Sequence, residues 1–355
     1  MNQVREARRE KLRALMHDKG IDALFISHEA NRYYLSGFEL HDGQKNEWAG
    51  YLLITKDGKD WLFTDPRYYD AAKRLWDEER IDIYGANSAE FINKRIKSLG
   101  CSSVGFESKV LPYAFYESFS AGLNCKDGSG LVEKLRMIKD EQEIECMKQA
   151  VALNHKLMQW VPSVCRPGRT EAAVAWDIEK FFREHGASEL AFSSIVAVGP
   201  NAALPHAIPG ETVITEECPI LIDVGCRVAE YCSDQTRTIW VGSNPTDEFK
   251  RTMEFVRTAQ DAAVASMHPG MPIKKAHEVC VKVFEDAGVE KHFTHSLGHG
   301  IGLETHEPPS VNMRSEDVLQ PGMIITAEPG LYYPEWGGIR WEHMVLITED
   351  GAVKM

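Results

Sequence analysis

Apolar and polar positions along the first third of the chain predict helices and strands in alternation. A charged, amphipathic helix runs through Leu15 and ends at Gly20, a residue that commonly ends helices. Short apolar runs separated by turns follow it, and each is typical of a buried strand: IDALFIS, YLLITK, WLFT and SSVGFE. The pattern predicts an α/β domain over residues 1–130.

A small and polar stretch at residues 126–130 separates this domain from the rest of the chain. The next helix begins at Asp140, with Glu143 three residues later, which is the pairing of a capping box. We therefore place the second domain at residues 131–355.

Helices and short strands are mixed throughout this second part. Thr170 caps a helix with one apolar face, and two further helices are predicted at about 246–267 and 273–287. Five apolar runs read as strands: SSIVAV, PILID, RTIWV, MIITA and HMVLIT. Because the order is irregular, the pattern favours an α+β domain over a regular βαβ winding.

Composition narrows the classes of function. The chain has 355 residues and a net charge of -13, which argues against binding to nucleic acid backbones. No uninterrupted apolar run suggests a signal peptide or membrane span, so we expect a cytoplasmic protein with no membrane partner. Its eight cysteines include no C-x-x-C pair and are expected to be reduced thiols.

Two aspartates are expected to converge at the ends of neighbouring strands. Asp223 ends the run PILID, Asp234 begins the next run, and Gly225 lies between them where the chain turns. Since side chains alternate along a strand, Thr236 should share a face with Asp234 and orient its carboxylate.

Three further residues extend this acidic set. His299 lies between glycines in GHGIG, which let the backbone approach a ligand closely. Glu328 ends the strand MIITAE, and Glu342 lies in GGIRWEHMVL, which is expected to form one strand beginning just after two glycines. We expect both to be hairpin strands that present the acids at matching depth. A single acid or histidine is usually a solvated or structural group, but all four acids adjoin strongly apolar strands.

Clustered carboxylates require positive charge. Two like charges about 4 Å apart repel by about 4 kcal/mol at an effective dielectric of 20. Oxygen-rich ligands with one imidazole suit manganese, cobalt, iron or zinc, and a paired site can hold a bridging hydroxide as nucleophile. The pattern therefore predicts a two-metal hydrolase.

The motifs resemble those of the pita-bread metallopeptidase family, which includes aminopeptidase P, prolidase and methionine aminopeptidase. The likeness covers essentially the whole chain and rests on KLRALMHDKGIDALFISHEANRYYLSGF, LFTDPRYYDAAKRL, VAVGPNAALPHA, LIDVG, YCSDQTRT, HSLGHGIGLETHEPP, ITAEPGLYY and GGIRWEH. It implies a creatinase-type N-terminal accessory domain followed by a pita-bread catalytic domain.

The resemblance also implies roles for individual residues. It assigns five ligands to two divalent ions: Asp223, Asp234, His299, Glu328 and Glu342. Of these, Asp234 and Glu342 would bridge the ions. The ions are expected to be Mn²⁺, with Co²⁺, Zn²⁺ or Fe²⁺ as alternatives. His206 and His306 would steady the substrate carbonyl and oxyanion, His295 would border the pocket beyond the scissile bond, and Glu328 would shuttle a proton. Loop packing is the alternative role for His295 and His306.

Departures from the family pattern bear on the substrate. Glu230, Trp341 and His343 replace a glycine, a smaller aliphatic residue and an acid. Dipeptidases often have an arginine at this point of the motif to bind a free carboxylate, whereas this sequence has Pro309 and Ser310. Two other arginines could contact substrate or serve as salt-bridge partners, with Arg340 favoured over Arg314.

We therefore expect an Xaa-Pro aminopeptidase acting on small peptides as a homodimer, with an Xaa-Pro dipeptidase as the alternative. A metal-free peptide-binding protein or creatinase-like amidinohydrolase is a further alternative, although all five ligands are present. Fold-level likeness leaves a lyase or other non-peptide chemistry open as well.

Overall fold

A computed structural model describes residues 2–41 and 47–355. The chain divides into two compact units, Met1–Arg136 and Met137–Met355. The division falls at the end of a short helix that follows the predicted boundary at Gly130. None of the helices in the described ranges is long and apolar enough to cross a membrane.

The first unit is an α/β domain with a six-stranded mixed sheet in the order β4-β3-β2-β1-β5-β6. Its strands are β1 (Ala23–Ile26), β2 (Gly50–Thr55), β3 (Trp61–Thr64), β4 (Ile81–Ile83), β5 (Val104–Phe106) and β6 (Cys125–Asp127). Its helices are α1 (Asn2–Asp18), α2 (Glu29–Ser36), α3 (Tyr69–Lys73), α4 (Ser88–Ser98), α5 (Tyr113–Ser120) and α6 (Leu131–Arg136). The four predicted strands are confirmed as β1, β2, β3 and β5.

Aromatic side chains fill the core of this unit. The Phe25 ring stacks on Phe119 at 4.6 Å and on Tyr51 at 5.2 Å. Both phenylalanines are fully buried, and such stacked pairs contribute about 0.5–1.5 kcal/mol beyond the area they bury.

The second unit has the predicted α+β character. Its helices are α7 (Glu141–Trp160), α8 (Glu171–Glu184), α9 (Asp247–Ser266) and α10 (Lys274–Asp286). Its strands are β7 (Glu189–Leu190), β8 (Ile195–Val198), β9 (Cys218–Val224), β10 (Cys226–Val228), β11 (Tyr231–Cys232), β12 (Gln235–Val241), β13 (Gly298–Gly300), β14 (Glu307–Val311), β15 (Ile324–Ala327), β16 (Gly330–Tyr333), β17 (Gly337–Arg340), β18 (His343–Thr348) and β19 (Gly351–Lys354).

Local signals account for the starts of these helices. The capping box predicted at Asp140 is present, because its side chain accepts from the Glu143 backbone while the Glu143 side chain accepts from the Asp140 backbone. Thr170 and Thr246 cap α8 and α9 through their hydroxyl oxygens. Each such cap stabilises its helix by about 1 kcal/mol.

Two antiparallel sheets carry the chemistry of this unit. One has the order β12-β9-β8 and shares an apolar core with α7 and α8; the other has the order β14-β13-β15-β18-β19 and packs with α9 and α10. Each sheet thus buries one face against a helix pair and leaves the other face free to carry polar residues.

Candidate metal centre

Alternation along β9 directs Asp223 away from the helices. Ile220 and Ile222 pack in the core shared with α7 and α8, whereas Leu221 belongs to a small cluster on the opposite face. Asp223 follows this second set and pairs with Thr236 of β12. Asp234 directly precedes β12, so both carboxylates reach the same end of this hairpin, as predicted.

The two glutamates lie at matching depth in the second sheet. The last pair of the β15–β18 ladder joins Ala327 to His343, which places Glu328 and Glu342 immediately beyond it. The expectation of one continuous strand through Glu342 is wrong. The strand breaks between β17 and β18, because the Glu342 backbone N–H donates instead to the carbonyl of Thr236 at 3.2 Å.

All five sequence-predicted ligands come together at the junction of these strands. One ligand atom each from Asp234, His299 and Glu342 lies within 4.8 Å of the other two. His299 Nε2 is also 3.3 Å from Glu328 Oε1. Asp223 reaches the group through Arg340, whose Nη2 donates to Asp223 Oδ2 at 2.7 Å and whose Nε lies 3.9 Å from Glu328 Oε2.

His299 is oriented as a ligand would be. Its Nδ1 lies 3.1 Å from the carbonyl oxygen of Gly300, which can only accept, so Nδ1 carries the proton. In the neutral ring the Nε2 lone pair then faces Glu328 Oε1 and Asp234 Oδ2, the latter at 3.7 Å. A lone pair directed at two carboxylates requires a proton or a metal cation between them.

The carboxylates also have spare acceptor capacity. Within the described ranges, no hydrogen-bond donor reaches the buried oxygens Asp223 Oδ1, Asp234 Oδ1 and Glu342 Oε1. Buried polar atoms without partners are rare and expensive in native proteins. Three such atoms on the carboxylates of one cluster, two of which lie with His299 in a group of possible metal ligands, fit a site for divalent cations.

The pKa values show the same electrostatic conflict. Burial, followed by repulsion from Glu342, raises the pKa of Asp234 well above its usual value. Burial, followed by repulsion from Glu328, does the same to the pKa of Glu342. For Glu328, burial opposes ionisation, but when His299 is protonated its hydrogen bond and positive charge outweigh burial and lower the pKa of Glu328 to about 2.

Thr236 has a different partner from the one predicted. Its hydroxyl donates to Glu342 Oε2 at 2.8 Å and accepts from Arg340 Nε at 3.1 Å, so it orients Glu342 rather than Asp234. Alternation failed here because Asp234 lies outside β12, where the strand period no longer applies.

Three of the four acids, Asp223, Asp234 and Glu328, line a cavity of about 570 Å³. Three histidines singled out from the sequence line it with the acids: His206, His295 and His306. The His306 ring lies edge-on to His299 at 4.1 Å, and His295 Nε2 is 2.8 Å from the hydroxyl of Tyr332. Burial lowers the pKa of both His295 and His306 and so favours neutral rings.

Arg340 lines the cavity but its donors face protein atoms. Besides Asp223 and Thr236, it donates to the hydroxyl of Tyr332 at 3.0 Å and the carbonyl of Pro205 at 3.2 Å. Arg340 therefore ties the acid cluster to the cavity wall. Arg314 lines a neighbouring cavity of about 520 Å³ that also includes His299 and His306.

Sequence reasoning missed two buried polar side chains that support this site. Glu171 accepts from the backbone N–H groups of Val198 at 2.7 Å and Gly210 at 3.1 Å, which holds both ends of the segment carrying His206. Gln260 is fully buried in α9 and donates to two carbonyls next to the glutamates. A polar residue on the apolar face of a predicted helix is the signal that could have identified Gln260.

Comparison with known proteins gives two family matches. The model of metallopeptidase family M24 matches residues 145–349, and that of the creatinase/prolidase N-terminal domain matches residues 8–138.

Individual proteins match over nearly the whole chain. An Xaa-Pro dipeptidase of Pyrococcus horikoshii is 35% identical over 98% of this chain and 95% of its own. The structure of an Xaa-Pro dipeptidase from Bacillus anthracis superimposes with a TM-score of 0.92 at 35% identity, covering 99% and 97% of the two chains. An X-Pro aminopeptidase from Thermotoga maritima gives a TM-score of 0.83 at 31% identity, covering 94% and 95%. The expected fold is therefore confirmed.

Proposed function

This chain belongs to metallopeptidase family M24, and from that membership we propose that it hydrolyses Xaa-Pro dipeptides to free amino acids. Membership confirms the family resemblance and the peptidase activity drawn from the motifs. Dipeptidase activity, which the sequence ranked second, is now the first candidate. Relatives named Xaa-Pro dipeptidase that match 98% of this chain support this order.

The observation that carries the proposal is the buried acid cluster with unpaired oxygens facing a cavity. We assign two divalent cations to it, held by the five residues Asp223, Asp234, His299, Glu328 and Glu342, with Mn²⁺ as the first choice over Co²⁺, Zn²⁺ or Fe²⁺. Such cations supply Lewis acidity and make water a nucleophile at neutral pH. Four clustered carboxylates, of which Asp234 and Glu342 have raised pKa values, disfavour a metal-free binding protein.

The protein's own groups account for binding and proton transfer. Glu328 accepts a proton from the attacking water and delivers it to the proline nitrogen as the bond breaks. His206 and His306 donate hydrogen bonds to the carbonyl oxygen as it gains negative charge. His295, fixed by Tyr332, borders the space for the proline ring.

Substrate length is the point on which the two candidate activities differ. A cavity of about 570 Å³ is in the range that encloses a small ligand, which supports a dipeptide. Arg314 is an exposed cation near His299 and His306 that could pair with a free carboxylate. Xaa-Pro aminopeptidase activity stays the second candidate, because Pro309 and Ser310 occupy the position where dipeptidases often have an arginine for the free carboxylate.

The deciding experiment is a comparison of three substrates with Mn²⁺ supplied: Ala-Pro, Ala-Pro amide and Ala-Pro-Ala. A dipeptidase cleaves Ala-Pro at least tenfold faster than the other two, because only in Ala-Pro does the proline itself carry a free carboxylate. Equal or faster cleavage of the tripeptide would reassign the protein as an aminopeptidase. Absence of turnover on all three, with metal bound, would refute both.

Two further assignments belong to this proposal. We infer a cytoplasmic location, which is supported by eight cysteines that are all free thiols. A homodimer is inferred from the family alone, and sedimentation velocity would test it.

A further inference from the structure

Gln260 joins the two chain segments that carry the glutamates. Its Nε2 donates to the carbonyl of Ala327 at 2.7 Å and to the carbonyl of Trp341 at 3.0 Å. These carbonyls belong to the residues immediately before Glu328 and Glu342. One amide group therefore fixes the backbone from which both carboxylates project.

The orientation of this amide is determined by its neighbours. Lys354 Nζ lies 2.8 Å from Gln260 Oε1, and an ammonium group can only donate. The oxygen must therefore face Lys354, which leaves the NH₂ group to face the two carbonyls. Lys354 is itself held by Asp261 at 2.5 Å.

His343 closes the arrangement from the other side. Its Nδ1 is 3.0 Å from Gln260 Oε1, which can only accept, so this nitrogen carries the proton. Its Nε2 is 2.9 Å from Arg237 Nη2, which can only donate, so this nitrogen is unprotonated. The ring is thus a neutral imidazole with a single permitted tautomer.

Arg237 extends the network to the aspartate hairpin. Its Nη1 donates to the carbonyls of Thr236 and Glu342, and its guanidinium lies 4.3 Å from the Trp341 ring. The contacts therefore link β12, the end of β15 and the connection between β17 and β18. These are the segments next to Asp234, Glu328 and Glu342.

We propose that Gln260, oriented by Lys354 and His343, is a positioning residue that sets the spacing of Glu328 and Glu342 and thereby the affinity for divalent cations. The inference rests on the metal site assigned under the proposed function. Side chains that orient metal ligands typically change metal affinity by 10- to 100-fold when removed. Trp341 and His343, which depart from the family pattern, are both members of this network.

The test is Mn²⁺ affinity, measured by competition with a chelator on purified full-length variants. Gln260→Leu keeps the side-chain volume but removes the amide donor shared by the two carbonyls, and we expect it to weaken Mn²⁺ binding by about 10- to 100-fold. Thr252→Val is the matched control, because it removes from the same helix a buried hydroxyl that is hydrogen-bonded to Tyr333. This variant should bind Mn²⁺ as the wild type does.

Rescue by a conservative change separates orientation from packing. His343→Phe fills the space without hydrogen bonds and should weaken Mn²⁺ binding. His343→Asn places an amide N–H near the position of Nδ1 and should restore most of the affinity. The absorption spectrum of Co²⁺-loaded protein gives a second measure, because altered ligand spacing changes the spectrum of Gln260→Leu but not that of Thr252→Val.

Wild-type Mn²⁺ affinity in folded Gln260→Leu would overturn the inference and leave the proposed function intact. If Gln260→Leu does not fold, Gln260→Glu decides, because it keeps the shape and the acceptor but replaces the donor with an oxygen facing two carbonyls. A wild-type protein that binds no divalent ion would instead refute the metal site, and the inference with it.

Discussion

Asp234→Asn is predicted to stabilise the metal-free protein while it abolishes stabilisation by metal. Ligand atoms of Asp234 and Glu342 lie within 4.8 Å of each other. Two unit charges at that separation repel by about 3.5 kcal/mol at an effective dielectric of 20. Because protonation relieves part of this repulsion, we expect a gain of about 1–3 kcal/mol in the free energy of unfolding at pH 8.

Thermal unfolding after chelation measures this effect. For a domain of this size each kcal/mol corresponds to about 2–4 °C, so the melting temperature should rise by about 2–12 °C. Asp223→Asn is the matched control, since it removes an equal charge but leaves buried Arg340 without its carboxylate. Its metal-free form should melt below the wild type, while Mn²⁺ should stabilise neither variant.

The dependence on pH has a definite sign. A carboxyl whose pKa is raised in the folded state does not lower the free energy of unfolding below about pH 4, which is its pKa in the unfolded chain. It lowers that free energy progressively as pH rises from there towards its pKa in the folded state. The advantage of Asp234→Asn should therefore grow from about pH 4 upward. Glu328 has a lowered pKa and stabilises the fold above its ordinary value, but it is present in both proteins. The reasoning would be refuted if both substitutions destabilised the protein equally, or if the difference in stability between Asp234→Asn and the wild type did not change with pH.

Two other substitutions test the supporting structure. Glu171→Gln should raise KM for Ala-Pro about tenfold with Mn²⁺ content unchanged, because an NH₂ donor then replaces a carboxylate oxygen that accepts from the backbone of Val198 or Gly210. Glu217→Gln is the control. It alters similar hydrogen bonds to the Ser243 and Asn244 backbone at the far end of the hairpin and should leave KM unchanged. Lys139→Met should lower the free energy of unfolding in urea by about 3–5 kcal/mol, since it removes the cation from a fully buried ion pair with Glu307 at 2.9 Å. Adding Glu307→Gln should recover part of that loss.

Local signals were enough to predict many of the helices and strands and the convergence of Asp223 with Asp234. Asp140 with Glu143 specifies a helix start within four residues, and Asp223 and Asp234 are close in sequence on one hairpin. The partner of Thr236 could not be predicted in the same way. It depends on Glu342, more than a hundred residues away, whose backbone leaves one sheet to pair with another.

Buried hydrogen-bond partners were the part that the sequence could not supply. Gln260 lies among apolar residues of α9 such as Val256 and Ala263, and helical periodicity alone does not indicate which carbonyls its amide reaches. The roles of Arg340 and Glu171 likewise depend on several segments that meet only in the folded chain.

The continuous ladder between β9 and β12 limits how this enzyme can change over time. Its seven residue pairs are in unbroken register, so adding or removing one residue inside either strand would turn Asp223 or Thr236 to the opposite face. Exposed loops can lengthen or shorten without this penalty. We therefore expect insertions and deletions among descendants of this sequence to spare the hairpin, even where ordinary substitutions have accumulated on both sides of it.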